Sequence, residues 1–400
     1  MTAAAIPPAP LRAWIAPQLP VASLLVGQPV ARAAMLLPRL FNLCQAAQAQ
    51  AVAVALGAKA VPDLGAEILR DHLLKFFVTW PEHLGLGSRA LPKDWTTDKG
   101  SVRRALLGAS GEPATLDDFA GFLSSGRGVA PVLQAIENHF APFEAVSGPL
   151  PFVTPQTLWR RIPVENSIAT RHATSPILAG IEARRGRGPF WRAVARLLDL
   201  AAVLDAALPA PFSPEPGLAM VPASRGAYGL RLIVRDGIVA ECERVTPTDS
   251  LLAPGGVLEQ SLGSLDAAHA GLGPLLLDIL DPCAPVTLEP TGQGAQAPGQ
   301  SPEDGAAATR GLVLLRTEGA PFASAPRGAA VSDDDNSAAT QTALASLPGS
   351  GLPGNLPEPT PRSAVPGELA HSSRLVAPSQ HIEGQRISRS VPAVTEADDA

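Results

Sequence analysis

Cys44, Cys242 and Cys283 are the three thiols of a 400-residue chain. Soft sulfur is a natural ligand of transition metals. A locally built site would need such ligands a few residues apart, and the chain has no intact CxxC, no HExxH, no glycine-rich phosphate loop and no nucleophile elbow. Its seven histidines are scattered. Spacing alone therefore gives no metal site, and each cysteine taken singly reads as a small buried hydrophobe. Three other polar residues stand at suggestive places. Ser224 and Arg225 precede a hairpin, the first a hydrogen-bond donor and the second a fixed positive charge. Asp281 precedes Pro282-Cys283. Alone, Arg225 also reads as a surface turn arginine, and Asp281-Pro282 as an ordinary strand end.

The elements that must position these residues are partly visible. Apolar spacing from Ala31 to Leu56 predicts one largely buried helix, closed by Gly57 and Pro62. Asp63 to Trp80 predicts a second, with Leu64, Ile68, Leu69, Leu73, Phe76 and Phe77 on one side and Pro81 ending it. Shorter helices are expected at 115–124, 128–140 and 189–208, and the signal is weak between Phe143 and Arg187. Tyr228 to Val245 holds two β-prone runs joined by Asp236-Gly237, the pair favoured in type I′ hairpin turns. Leu272 to Leu280 is an apolar run leading to Cys283, and residues 285–288 predict the last strand, so the folded body is expected to span 1–289.

Composition divides the chain at the same point. Residues 290–400 hold 7 Arg, no Lys and 12 acids, a charge of −5, and are rich in Gly, Pro, Ser and Ala. Such a segment cannot bury enough apolar surface to offset its ordering entropy, and disorder is its expected state. The body is then nearly neutral, since the whole chain carries −6. Neither part has the basic stripe that nucleic acid requires. The few, distant cysteines suit a reducing cytoplasm, no signal peptide is indicated, and no apolar stretch reaches the ~20 residues of a membrane span.

Taken in order, the segments gain a meaning they lack singly. A cysteine opens a buried alanine-rich helix, Ser224-Arg225-Gly226 precedes a DG hairpin, Val245-Thr246-Pro247-Thr248 follows, and Asp281-Pro282-Cys283 closes the body. This order resembles the [NiFe]-hydrogenase large subunit, whose corresponding elements are R-x-C-G-x-C-x-x-x-H, P-R-G, P-T-T-W-N and D-P-C-x-x-C. The resemblance implies an α+β fold, mainly helical, with a small C-terminal sheet. Against that pattern Phe41 replaces the first cysteine, Gln48 the histidine and Val286 the last cysteine, so one thiolate survives from each pair, Cys44 and Cys283. The family's N-terminal R-I-E-G-H element is also absent.

Two thiolates are too few for a stable binuclear centre, so hydrogen turnover is not expected. One surviving cysteine per pair is similar to the HupK/HoxV group of hydrogenase expression and formation proteins. That resemblance implies a non-enzymatic scaffold in which Cys44 and Cys283 transiently hold an Fe(CN)2(CO) unit while Ser224 and Arg225 contact its cyanides and Asp281 orients the arginine; whether nickel binds is left open. It implies hydrogenase maturation proteins and the apo large subunit as partners. Two other readings stand beside it: a metal-free docking or protective chaperone, and a degenerate oxidoreductase with an added ligand such as His72. Cys242 matches no family ligand and reads as a packed strand residue.

Overall fold

The computed structural model describes residues 9–41, 43–58, 64–109, 111–160 and 162–291. Strand β1 (Leu11–Ile15) is followed by helices α1 (Val21–Leu25), α2 (Val30–Leu36), α3 (Gln45–Ala55), α4 (Leu64–Leu74), α5 (Trp80–His83), α6 (Lys99–Leu107), α7 (Leu116–Ser124), α8 (Ala130–His139), α9 (Pro176–Arg185) and α10 (Pro189–Leu204). Strands β2 (Leu218–Ala223), β3 (Gly226–Arg235) and β4 (Ile238–Val245) come next, then α11 (Pro247–Leu251), α12 (Val257–Gly263), α13 (Gly273–Leu280) and β5 (Val286–Pro290). The architecture is α+β and mainly helical, as expected. None of the described helices is long and apolar enough to cross a membrane.

The single helix expected over 31–56 is instead two. After α2 the chain tightens into a 3-10 turn at Leu37–Arg39, which carries Pro38, and Cys44 adopts a left-handed conformation (φ 58°) that no helix interior accommodates. Only at Gln45 does α3 begin. Pro81, by contrast, does not end its helix. Between α4 and α5 the backbone widens into a π turn at Lys75–Thr79, and the path continues to His83. Proline has no N–H for the carbonyl of Phe77 four residues back, and that carbonyl accepts instead from the Arg89 amide at 2.7 Å.

The hairpin forms where Asp236-Gly237 places it, with φ of 51° and 76° at the two turn residues, the positive pair a type I′ turn demands. β2 joins it as a third antiparallel strand, with Ala223 opposite Gly226. Pro222 hides this strand from sequence reading, and its edge position tolerates the missing donor. β1 pairs antiparallel with β5, Leu11 opposite Pro290, so the last strand runs one residue past the expected boundary at 289. The tail expected to be disordered lies, from residue 292, outside the described residues.

Beside a small cluster at Val153, Leu158 and Val164, two larger apolar cores divide the body. In the smaller, α1, α2 and α3 cover the three-stranded sheet with Val21, Leu25, Leu37, Ala47 and Ala51 against Val221, Tyr228 and Leu230. The alanines of α3 let its backbone approach the strands closely. The larger core surrounds α10, buried on nearly every side. Arg192, Arg196 and Asp199 are buried on this helix, and each is paired.

Candidate functional site

Cys44 and Cys283 arrive from opposite ends of the body. Cys44 is the residue before α3, and its left-handed backbone leaves the first amides of the helix uncapped by its own side chain. Glu67, on α4, takes their place: its carboxylate accepts from Ala46 N at 2.8 Å and Ala47 N at 3.2 Å. Cys283 follows the end of α13, where Asp281 is also left-handed (φ 56°), and its amide donates to Thr248 Oγ1 at 2.8 Å. The two sulfurs lie 4.0 Å apart.

Arg225 closes the site from the start of the hairpin. Its Nη1 donates to Cys44 Sγ at 3.4 Å and to Ser224 Oγ at 3.0 Å, and lies 3.4 Å from Asp71 Oδ2. Its Nε donates to the Asp281 carbonyl at 3.0 Å and its Nη2 to Asp281 Oδ1 at 3.2 Å. Gly226 makes this placement possible, because at φ 148° a Cβ would meet the Asn166 carbonyl at 2.6 Å. Asn166 then holds the turn with Ala227, accepting from its amide at 2.8 Å and donating to its carbonyl at 3.0 Å. Ser224 donates its one hydroxyl proton to Asp71 Oδ2 at 2.8 Å, with Cys44 Sγ 3.7 Å away.

Asp281 is the hub of a buried ion network. Besides Arg225 it meets Arg196 Nη2 at 3.1 Å and Lys75 Nζ at 3.0 Å. Lys75 also reaches Asp278 Oδ1 at 2.8 Å, whose other oxygen accepts from Thr79 Oγ1 at 2.7 Å. Arg196 Nη1 donates to His72 Nδ1 at 3.2 Å, so the proton of this imidazole is on Nε2, which faces Asp199 Oδ2 at 2.8 Å. Asp199 is further held by Arg171, at 2.8 and 2.6 Å, and by His172 at 3.0 Å.

The electrostatics follow from this packing. Burial works against ionisation of Asp281, but Arg225, Lys75 and Arg196 overcome it and hold the carboxyl well below its usual range. Burial lowers His72 to about 4, leaving it neutral. The hydrogen bond between the sulfurs separates their titrations: contact with Cys44 lowers Cys283 to about 7, and Cys44, bonded to Cys283 and buried, is pushed well above the ordinary thiol range. Both sulfurs lie beside the buried, charged guanidinium of Arg225.

All five residues singled out in the sequence, Cys44, Cys283, Ser224, Arg225 and Asp281, meet here. His72 does not join the sulfurs, because both its ring nitrogens are engaged elsewhere. Cys242 packs within the smaller core, and Gln48 donates to the Leu43 carbonyl at 3.2 Å. Asp71, Lys75 and Arg196 escaped sequence reading: on an amphipathic pattern a charged residue is assigned to solvent, and only tertiary pairing shows otherwise. Among the described residues no group of three or more His, Cys, Asp or Glu is placed to hold a metal ion.

No family model matches the chain. The hydrogenase expression/formation protein HupK of Rhodobacter capsulatus is 49% identical over 273 residues, which cover 68% of this chain and 90% of that protein. Among solved structures, the Ni-Fe-Se hydrogenase from D. vulgaris Hildenborough in the as-isolated oxidized state aligns with a TM-score of 0.39 and 14% identity over 66% of this chain and 91% of that one. The reduced, active Ni-Fe-Se hydrogenase from Desulfomicrobium baculatum aligns with a TM-score of 0.39 and 13% identity over the same shares.

Proposed function

The chain belongs to the family of the hydrogenase expression/formation protein HupK, and from that membership we propose that it serves [NiFe]-hydrogenase maturation as a scaffold for an Fe(CN)2(CO) unit. The observation that carries this reading is the 4.0 Å contact between two sulfurs 239 residues apart in sequence. Iron of this kind is cargo, and a two-sulfur site suits cargo. Thiolates are soft ligands that such iron accepts. Two of them, with no third ligand among the described residues, hold the unit less firmly than an acceptor with four.

The remaining side chains fit the cargo's chemistry. Cyanide nitrogens carry negative charge and accept hydrogen bonds, and Arg225 is charged, buried and already within reach of Cys44. Ser224 is committed to Asp71, so it donates to a cyanide only after giving up that bond. Asp281 acts through Arg225, fixing its fork at Nε and Nη2. Loading displaces the thiol protons, since a metal-bound thiol is deprotonated. The partners of this role are the maturation proteins that supply the unit and the apo large subunit that receives it, in the cytoplasm and without turnover of a substrate.

The test is an infrared spectrum of the protein isolated without oxygen from cells expressing the maturation machinery. Bound cyanide and carbonyl bands are expected in the wild type and absent from a Cys44→Ala, Cys283→Ala double variant. Bands in neither, with partner binding unchanged, would sink the scaffold and leave a metal-free docking protein.

A further inference from the structure

Cys44 and Cys283 differ in access as well as in position. Cys44 is 9% exposed, whereas Cys283 is half-buried and so the more exposed residue of the two. Their sulfurs, at 4.0 Å, are about 2 Å from the length of a covalent S–S bond. Side-chain torsion at both residues supplies movement of that order. Cys242 is packed among the sheet residues of the smaller core.

We propose that Cys44 and Cys283 form a thiol–disulfide exchange site whose substrate is a low-molecular-weight disulfide. The Cys283 thiolate attacks one sulfur of the substrate, forming a mixed disulfide and releasing the first thiol. Cys44 then attacks Cys283 Sγ, forming the Cys44–Cys283 bond and expelling the second thiol. Two electrons pass from the protein sulfurs to the substrate, and the two cysteine protons leave with the product thiols or to solvent. Arg225 Nη1, 3.4 Å from Cys44 Sγ, offsets the negative charge on that sulfur as it loses its proton. Excess small thiol runs the sequence backwards.

The crosslinked form protects both sulfurs from oxidation beyond the disulfide, and it offers no thiolate to a metal. The exchange rests on the sulfur geometry and does not require that iron bind. Full-length reduced protein is treated anaerobically with oxidised glutathione, then examined by intact mass and by peptide mapping. Wild type and Cys242→Ala are expected to lose two hydrogen masses, with residues 44 and 283 in one linked peptide that dithiothreitol separates. A Cys44→Ser variant is expected to stop at one glutathione on Cys283. The proposal is overturned if the wild type yields no 44–283 crosslink, whether glutathione stays on Cys283 or neither sulfur reacts.

Discussion

Asp281 shows how much a single carboxylate carries in this site. Arg225, Arg196 and Lys75 all converge on it, and all four side chains are largely removed from solvent. Removing it takes the carboxylate from Arg196 and leaves Lys75 to Asp278 and Arg225 to Asp71, and breaking a buried ion pair of this kind costs about 3–5 kcal/mol. Asp281→Ala is therefore expected to lower the unfolding free energy by about that amount in urea titration; a loss below about 1 kcal/mol would mean that the network is worth no more than surface pairs. His72 sets a pH dependence of definite sign. Facing Arg196 on one nitrogen and Asp199 on the other, with Arg171 beyond, it titrates at about 4 in the folded state against an ordinary 6.5. The unfolded chain thus takes up a proton below 6.5 that the native protein refuses. Its contribution to stability is complete above 6.5 and is lost as pH falls toward 4, by at most about 3 kcal/mol. Urea midpoints measured across that interval should fall less steeply in His72→Gln than in wild type, and equal slopes would remove His72 from the acid sensitivity of the fold.

Helix α3 depends on a carboxylate borrowed from its neighbour. Cys44 cannot cap it, and Glu67 of α4 binds its first two available amides. Glu67→Ala is expected to cost about 1 kcal/mol and to speed amide exchange at Ala46 and Ala47, close to Cys44. Unchanged exchange there would show that water replaces the carboxylate without loss. At this scale the sequence was readable where one local rule dominates. The DG turn and the helix expected at 115–124 lie where they were expected, and the helix expected at 189–208 forms from Pro189 to Leu204. It was misread where two rules compete. Pro81 looks like a helix end, yet a π turn and the Arg89 amide absorb it; apolar spacing across 31–56 looks continuous, yet Pro38 and the left-handed Cys44 divide it. β2 and α9 were not anticipated, since the edge strand contains Pro222 and α9 is mostly short of a clean apolar stripe. The same limit applies to the site. Cys44, Arg225 and Cys283 were found through segment order, whereas Arg196 and Lys75 have no local signature, because burial of a charge is decided by partners distant in the chain.

The closure of the whole body brings the ends of the described chain together. β1 and β5 pair across 275 residues, with Leu11 opposite Pro290 and Ile15 opposite Val286. They form a two-stranded sheet, so each is the other's only strand partner among the described residues. Cys283 lies three residues before β5, which makes this pairing the tether on its C-terminal side, while the Thr248 hydroxyl holds its amide. The second cysteine of the site is thus positioned by a contact that forms only when the chain closes, and contacts of such separation carry the largest loop-closure cost in folding. Cys44 is independent of it, resting on the three-stranded sheet within the smaller core. Deletion of residues 1–15 should therefore separate the two halves of the site. Amide exchange in β5 and alkylation of Cys283 are expected to accelerate, while protection of the β3–β4 hairpin and the reactivity of Cys44 stay close to those of the full chain. If Cys283 alkylates at the wild-type rate without β1, then α13, Thr248 and the smaller core fix it, and chain closure plays no part in forming the site.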